Sequence, residues 1–194
     1  MTTARSALIG DTAIAILAGR GMRGLTHRAV DEEAGLPSGS TSNLARTRAA
    51  LLELTLARLT ELEEAHFAAL LHRAAPPGPD LLAGLADVMA ESMHLAITVD
   101  RNRTVARYEL ALEATRRPEL RKIYDEIGRR FRDPAVALLT AAGSPDPVRH
   151  GRQIVAYGEG MLFDAVVGAG TTPSRDDLKA AFTEFLTGIL PALF

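Results

Sequence analysis

The sequence predicts an all-α protein of about nine helices, and three observations carry that expectation. Apolar residues recur at i, i+3, i+4 and i+7 along most of the chain. Strand-like alternation is absent. Breaks rich in glycine and proline separate stretches of helical length. At 194 residues, 47% hydrophobic and 24% charged, the chain suits one or two compact units with a substantial core. It has no cysteine, which excludes disulfides and thiolate metal sites and fits a reducing compartment. No stretch reaches the roughly 20 apolar residues that span a bilayer. Asp11 interrupts the one signal-like run near the N-terminus. A cytoplasmic protein is the expectation.

The elements follow in order. Residues 4–19 form an amphipathic helix through Leu8, Ile9, Ile16 and Leu17, closed by Arg20, Gly21, Arg23 and Gly24. Thr26 caps a second helix that Gly35 ends. Pro37 cannot propagate that helix, so a third, short one begins near Ser38. Thr47 caps a long helix running to about Arg73, and the proline-rich segment 74–79 breaks the chain. Asp80 and Asp100 cap the next two helices, and Pro118 opens another that Pro134 should kink or split near Asp133. Residues 148–167 form the next. Ser174-Arg175-Asp176-Asp177 reads as a capping box for the last.

Two short helices across a glycine-containing turn make a helix-turn-helix, whose second member lies in the major groove of DNA. Here that member offers Gly39, Ser40, Thr41, Ser42 and Asn43, with Arg46 and Arg48 behind it. Hydroxyls and amides bond base edges, and arginines neutralise phosphates. The bland alternative is an ordinary capped turn between core helices. The net charge of −2 is unevenly placed: residues 1–50 hold six arginines against four acids, whereas residues 51–194 hold 16 basic against 20 acidic residues. The positive excess lies in the segment that would meet phosphate.

The order helix, glycine-rich turn, T-x-x-x-V from Thr26, A-G-L-P-x-G-S-T at 34–41 and R-T-R-x-x-L-L at 46–52 resembles the tetracycline-repressor (TetR) family of bacterial transcriptional regulators. The specific part covers about residues 9–52. The resemblance implies a DNA-binding domain over 1–48 and a helical ligand-binding and dimerisation domain over 49–194. It implies a homodimer on a palindromic operator in double-stranded DNA, released by a small-molecule effector. Phosphate contacts would fall on Thr26, Ser42 and Arg48. Base-edge or mixed contacts would fall on Arg28, Ser38, Gly39, Ser40, Thr41 and Asn43. Leu44 and Ala45 stand where the family usually carries aromatics. A missing aromatic plug would cost about 3–5 kcal/mol without compensation, and Leu44 is expected to rotate inward to fill part of the space.

In the second domain, Met89, Met93, His94, Tyr108, Leu112, Phe131, Tyr157 and Met161 are candidates to line a moderately apolar effector cavity, with His94, Glu109 or Arg107 orienting the ligand. They are otherwise core residues and surface charges. Leu178, Ala181, Phe182, Phe185, Leu186 and Ile189 form one stripe of the last helix. With Ile154, Tyr157, Gly158 and Met161 of the preceding helix, Leu178, Phe182, Phe185 and Ile189 are the expected two-fold interface. The same stripe could instead close the monomer core. No cofactor, metal or membrane partner is expected.

Two other classes compete. Glu63–His66 and Glu91–His94 are both E-x-x-H on helices, with Asp87 on the second face and Glu109, Glu113 and Glu159 as possible partners. That is the donor set of a di-iron carboxylate bundle enzyme. Five histidines among 13 glutamates also produce the motif by chance. A helical interaction module with a degenerate DNA head is the other rival. No P-loop, G-x-S-x-G or G-x-G-x-x-G occurs, so other enzyme classes have no motif to rest on.

Overall fold

The computed structural model describes residues 4–73 and 81–190, without the side chains of residues 70–73, 81, 127, 130 and 131. Among the described residues there are nine helices and no strand: α1 (Ala4–Gly24), α2 (His27–Glu33), α3 (Ser40–Leu44), α4 (Arg48–Arg73), α5 (Leu81–Ile97), α6 (Arg101–Ala114), α7 (Pro118–Ala141), α8 (Pro147–Val166) and α9 (Arg175–Ile189). The fold class is that expected from periodicity. The proline-rich break at 74–79 and the proposed cap at Asp80 lie outside the described residues.

Local signals account for several helix breaks and ends. Gly21 breaks α1 with φ 65°, a conformation that glycine adopts without a Cβ penalty. Asp146 caps α8 with Pro147 in its first turn. Ser174 and Asp177 form a reciprocal capping box on α9. Pro134 behaves differently from expectation. α7 runs through it as one helix, and the missing N–H removes a single bond without dividing the element.

The chain divides into two compact units, Met1–Glu64 with Asn102–Ile127, and Ala65–Arg101 with Gly128–Phe194. The first is built on Ile9, Ala13, Ile16 and Leu17 of α1, Leu25, Val30, Ala45, and Leu51, Leu52, Leu56 and Leu59 of α4. Ala106 and Leu110 of α6 and Leu120 of α7 complete that core. In the second unit α5 packs chiefly on α9 and also on α8. Its buried residues include Ala86, Ala90, Ile97, Leu139, Ile154, Leu162, Leu178, Phe182 and Leu186.

Candidate nucleic-acid interface

α2 begins where the Thr26 hydroxyl accepts from the Ala29 N–H at 3.1 Å. It ends at Gly35, in the left-handed region at φ 65°. Gly39, at φ 89°, turns the chain into α3 and offers no side chain to cap it. The carboxylate of Asp31 on α2 takes that role. Its Oδ2 accepts from the Gly39 N–H at 2.8 Å, and its Oδ1 accepts from the Thr41 N–H at 2.8 Å and the Thr41 hydroxyl at 2.6 Å. Burial pushes this carboxyl up. The Thr41 hydroxyl, the Thr41 and Gly39 amides and the nearby His27 outweigh burial and hold it below the ordinary aspartate value. At the other end of α3, His27 Nε2 lies 2.7 Å from the Ala45 carbonyl. A carbonyl only accepts, so the proton is on Nε2.

The expected DNA contacts divide into two groups. Ser38 and Asn43 are exposed, Gly39 and Ser42 half-buried, and Thr26 and Arg28 exposed on α2. Arg28 pairs with Glu32 at 2.7 Å. Ser40 and Thr41 instead face inward: Ser40 donates its hydroxyl to the Pro37 carbonyl at 2.7 Å, and Thr41 is fully buried on Asp31. Neither hydroxyl is presented to a base in this arrangement. Arg48 is half-buried and donates to the carbonyls of Leu25 at 2.5 Å and Met22 at 2.6 Å, so its guanidinium ties the α1–α2 link to α4. Exposed Arg46 is the cation left at the end of α3. Leu44 does not rotate inward. It is 46% exposed, while Ala45 is 1% exposed in the core. Sequence reasoning passed over Asp31, whose only signal is an acid preceding a turn that has no capping side chain of its own.

In the second unit a stack replaces this polar scheme. Tyr157 lies over Phe185 with centroids 4.9 Å apart and meets the edge of Phe182 at 6.1 Å. A Cβ added at Gly158 would sit 3.3 Å from Met93 Cε, so the missing side chain admits that methionine. Ile154, Gly158, Leu178 and Phe182 are buried within this unit, and Tyr157, Met161, Phe185 and Ile189 are half-buried. Of the residues expected to join two chains, Ile154, Gly158, Leu178 and Phe182 therefore close the core of one, while Tyr157, Met161, Phe185 and Ile189 keep part of their surface. Exposed apolar side chains on α8 are Val148, Phe163 and, just past its end, Val167.

The candidate effector residues do not share one unit. Met89, Met93, His94, Tyr157 and Met161 fall in the second, whereas Tyr108 and Leu112 fall in the first. Leu112 is 60% exposed, which suits no cavity wall. The Phe131 side chain lies outside the described residues. Among buried polar atoms, His94 Nδ1 and His66 Nε2 have no hydrogen-bond partner. The two E-x-x-H motifs are drawn into ion pairs: Arg107 approaches Glu63 at 3.4 Å, His66 lies 3.6 Å from Asp100, and Arg175 bonds Glu91 at 2.7 Å. Among the described residues no group of three or more His, Cys, Asp or Glu could hold a metal ion. Nor is any single helix long and apolar enough to cross a membrane.

Residues 81–192, more than half of the chain, match the family model of the tetracyclin repressor-like C-terminal domain. The chain belongs to the tetracycline-repressor family. Solved structures extend the likeness over the N-terminal helices. A TetR-family member from Streptomyces coelicolor A3 is 29% identical at TM-score 0.73, with 98% of this chain and 100% of that chain covered. The multidrug binding protein EbrR, solved with imidazole, is 29% identical at TM-score 0.69, covering 99% and 98%. A transcriptional regulator from Rhodococcus sp. Rha1, 19% identical at TM-score 0.78 with 96% of each chain covered, shares the fold. No curated protein sequence matches the chain.

Proposed function

We propose that this TetR-family regulator is a cytoplasmic, non-enzymatic repressor that binds a palindromic operator as a homodimer and is released by a small-molecule effector. Residues 1–48 read DNA, and residues 49–194 bind the effector and dimerise. The observation that carries the reading is the outward face of α3. Ser42 and Asn43 lie there, with Ser38 and Gly39 in the turn before it and exposed Arg46 just after it, and no acid stands among residues 38–46. Small polar groups bond base edges, and an exposed arginine meets phosphate. Thr26 and Arg28 add backbone contacts from α2. Thr41, Ser40 and Arg48 act indirectly, by holding the helix. Met89, Met93, His94, Tyr157 and Met161 are the effector-site candidates, and EbrR, solved with ethidium and with proflavin, supports a moderately apolar ligand. Phe163, 52% exposed, and Val167 mark the α8 face for the two-fold contact.

The test is selection of the purified chain on a random duplex library at near-physiological salt. Recovery of a palindrome with half-sites a whole number of helical turns apart supports the reading. Affinity for it should fall steeply as salt rises, because phosphate neutralisation releases counterions. Binding without sequence preference overturns operator recognition and favours a helical interaction module with a degenerate head, to which exposed Leu44 and small Ala45 would belong.

A further inference from the structure

We infer that His27 and Asp31, one turn apart on α2, form a polar clamp that sets the pose of α3 and so determines operator preference without touching DNA. The inference rests on α3 being the DNA-reading helix.

A five-residue helix does not hold itself, since nucleation outweighs the few bonds it forms. Apolar burial supplies little help here. The buried residues of α3 are Ser40 and Thr41, and only the methyl group of Ala45 beyond it enters the core. Leu44, its one large apolar side chain, faces solvent. What remains is directional. Positions 27 and 31 share one face of α2. From that face Asp31 accepts three bonds at the start of α3, and His27 donates to the Ala45 carbonyl at its end. The carboxylate is 4% exposed and both of its oxygens are engaged by α3 and Gly39. Hydrogen bonds fix orientation as well as distance. A change at either residue therefore re-aims Ser42 and Asn43 while leaving the exposed arginines in place.

The experiment has two arms on the full chain. Without DNA, amide hydrogen exchange is followed at Gly39 and Thr41 in the wild type, Asp31→Asn and Thr41→Val. Asp31→Asn should speed both amides at least tenfold, with Phe182 changed less than twofold. With DNA, affinity is measured for the selected operator and for a random duplex at one salt concentration. Asp31→Asn and His27→Ala should lose at least tenfold in operator preference while random-duplex affinity changes less than threefold. His27→Gln, whose amide can still donate, should recover part of that preference. If Asp31→Asn does not fold, Thr41→Val and His27→Ala decide the matter by the same readouts. Unchanged exchange, or equal losses on both duplexes by folded variants, overturns the clamp. A wild type with fast exchange at Gly39 and Thr41 does so as well. Slow exchange in a wild type that prefers no operator leaves the clamp standing as a structural device and sinks the DNA reading instead.

Discussion

The head and the second unit hold their helices by opposite means. In the head, α3 is fastened through a buried carboxylate at its start and an imidazole at its end, with almost no apolar area of its own. In the second unit α8 and α9 meet through Tyr157, Phe182 and Phe185, and α5 joins them through Met93 at Gly158. Apolar burial is strong and non-directional, whereas hydrogen bonds are weak in net energy and define orientation. A short helix that must leave one face bare for a partner gains more from the second property. A unit that must simply cohere gains more from the first.

Four changes would break or sharpen that contrast. The largest effect is expected for Phe182→Ala, which empties the aromatic core and should cost about 3–5 kcal/mol in urea unfolding; a loss below ~1 kcal/mol would mean the stack is incidental. Next comes Arg48→Ala. It leaves the Leu25 and Met22 carbonyls without their donor, so the first unit should lose about 1–3 kcal/mol in the absence of DNA. Unaltered stability would return Arg48 to the role of a phosphate contact.

The third concerns acid. Against the upward push of burial, hydrogen bonds from Thr41 and Gly39 hold the Asp31 carboxyl below the ordinary aspartate value. Its contribution is therefore complete above that ordinary value and is lost as pH falls through the lower folded one. The Thr41 amide signal, followed by NMR from pH 6 downward, should stay constant to about pH 4 and move only below it. A transition above pH 5 would contradict a carboxylate stabilised in place. The smallest effect is expected for Asp87→Asn. The Lys179 ammonium, bonded at 2.8 Å, and then Arg175 lower that carboxyl's proton affinity, yet its side chain is 42% exposed. Screening by water leaves at most about 1 kcal/mol, which salt should reduce further. A larger loss would show that charge, and not only the aromatic core, holds α5 to α9.

Legibility followed distance along the chain. The Thr26 cap, the Gly35 turn and the Ser174 capping box each involve atoms within four residues, and their residue types announce them. The inward turn of Thr41 did not announce itself. Five residues are too few for a periodicity, and the partner carboxylate lies ten positions upstream. Leu44 and Ala45 stand out in the sequence as small or non-aromatic residues, but the direction of Leu44 depended on whether the core had room for it. The α9 stripe was equally visible and equally ambiguous: regular spacing says that Leu178 and Phe182 are covered, not that a second chain covers them. Arg48 looked like a phosphate contact because arginine carries its charge anywhere, while the two carbonyls it serves lie 23 and 26 residues away.

The sequence by itself determined an all-α chain, the Thr26 and Ser174 caps, the Gly35 turn, the helix-turn-helix order and the family resemblance. Those properties arise from backbone preferences and contacts within one turn. Only the tertiary structure decided which faces were already taken. It turned Thr41, Ser40 and Arg48 into supports, left Asn43 and Arg46 outside, and enclosed Phe182 within one chain. It also joined Arg175 to Glu91 across 84 positions. Burial and pairing of this kind depend on neighbours that the fold brings together from distant positions, and local spacing carries no record of them.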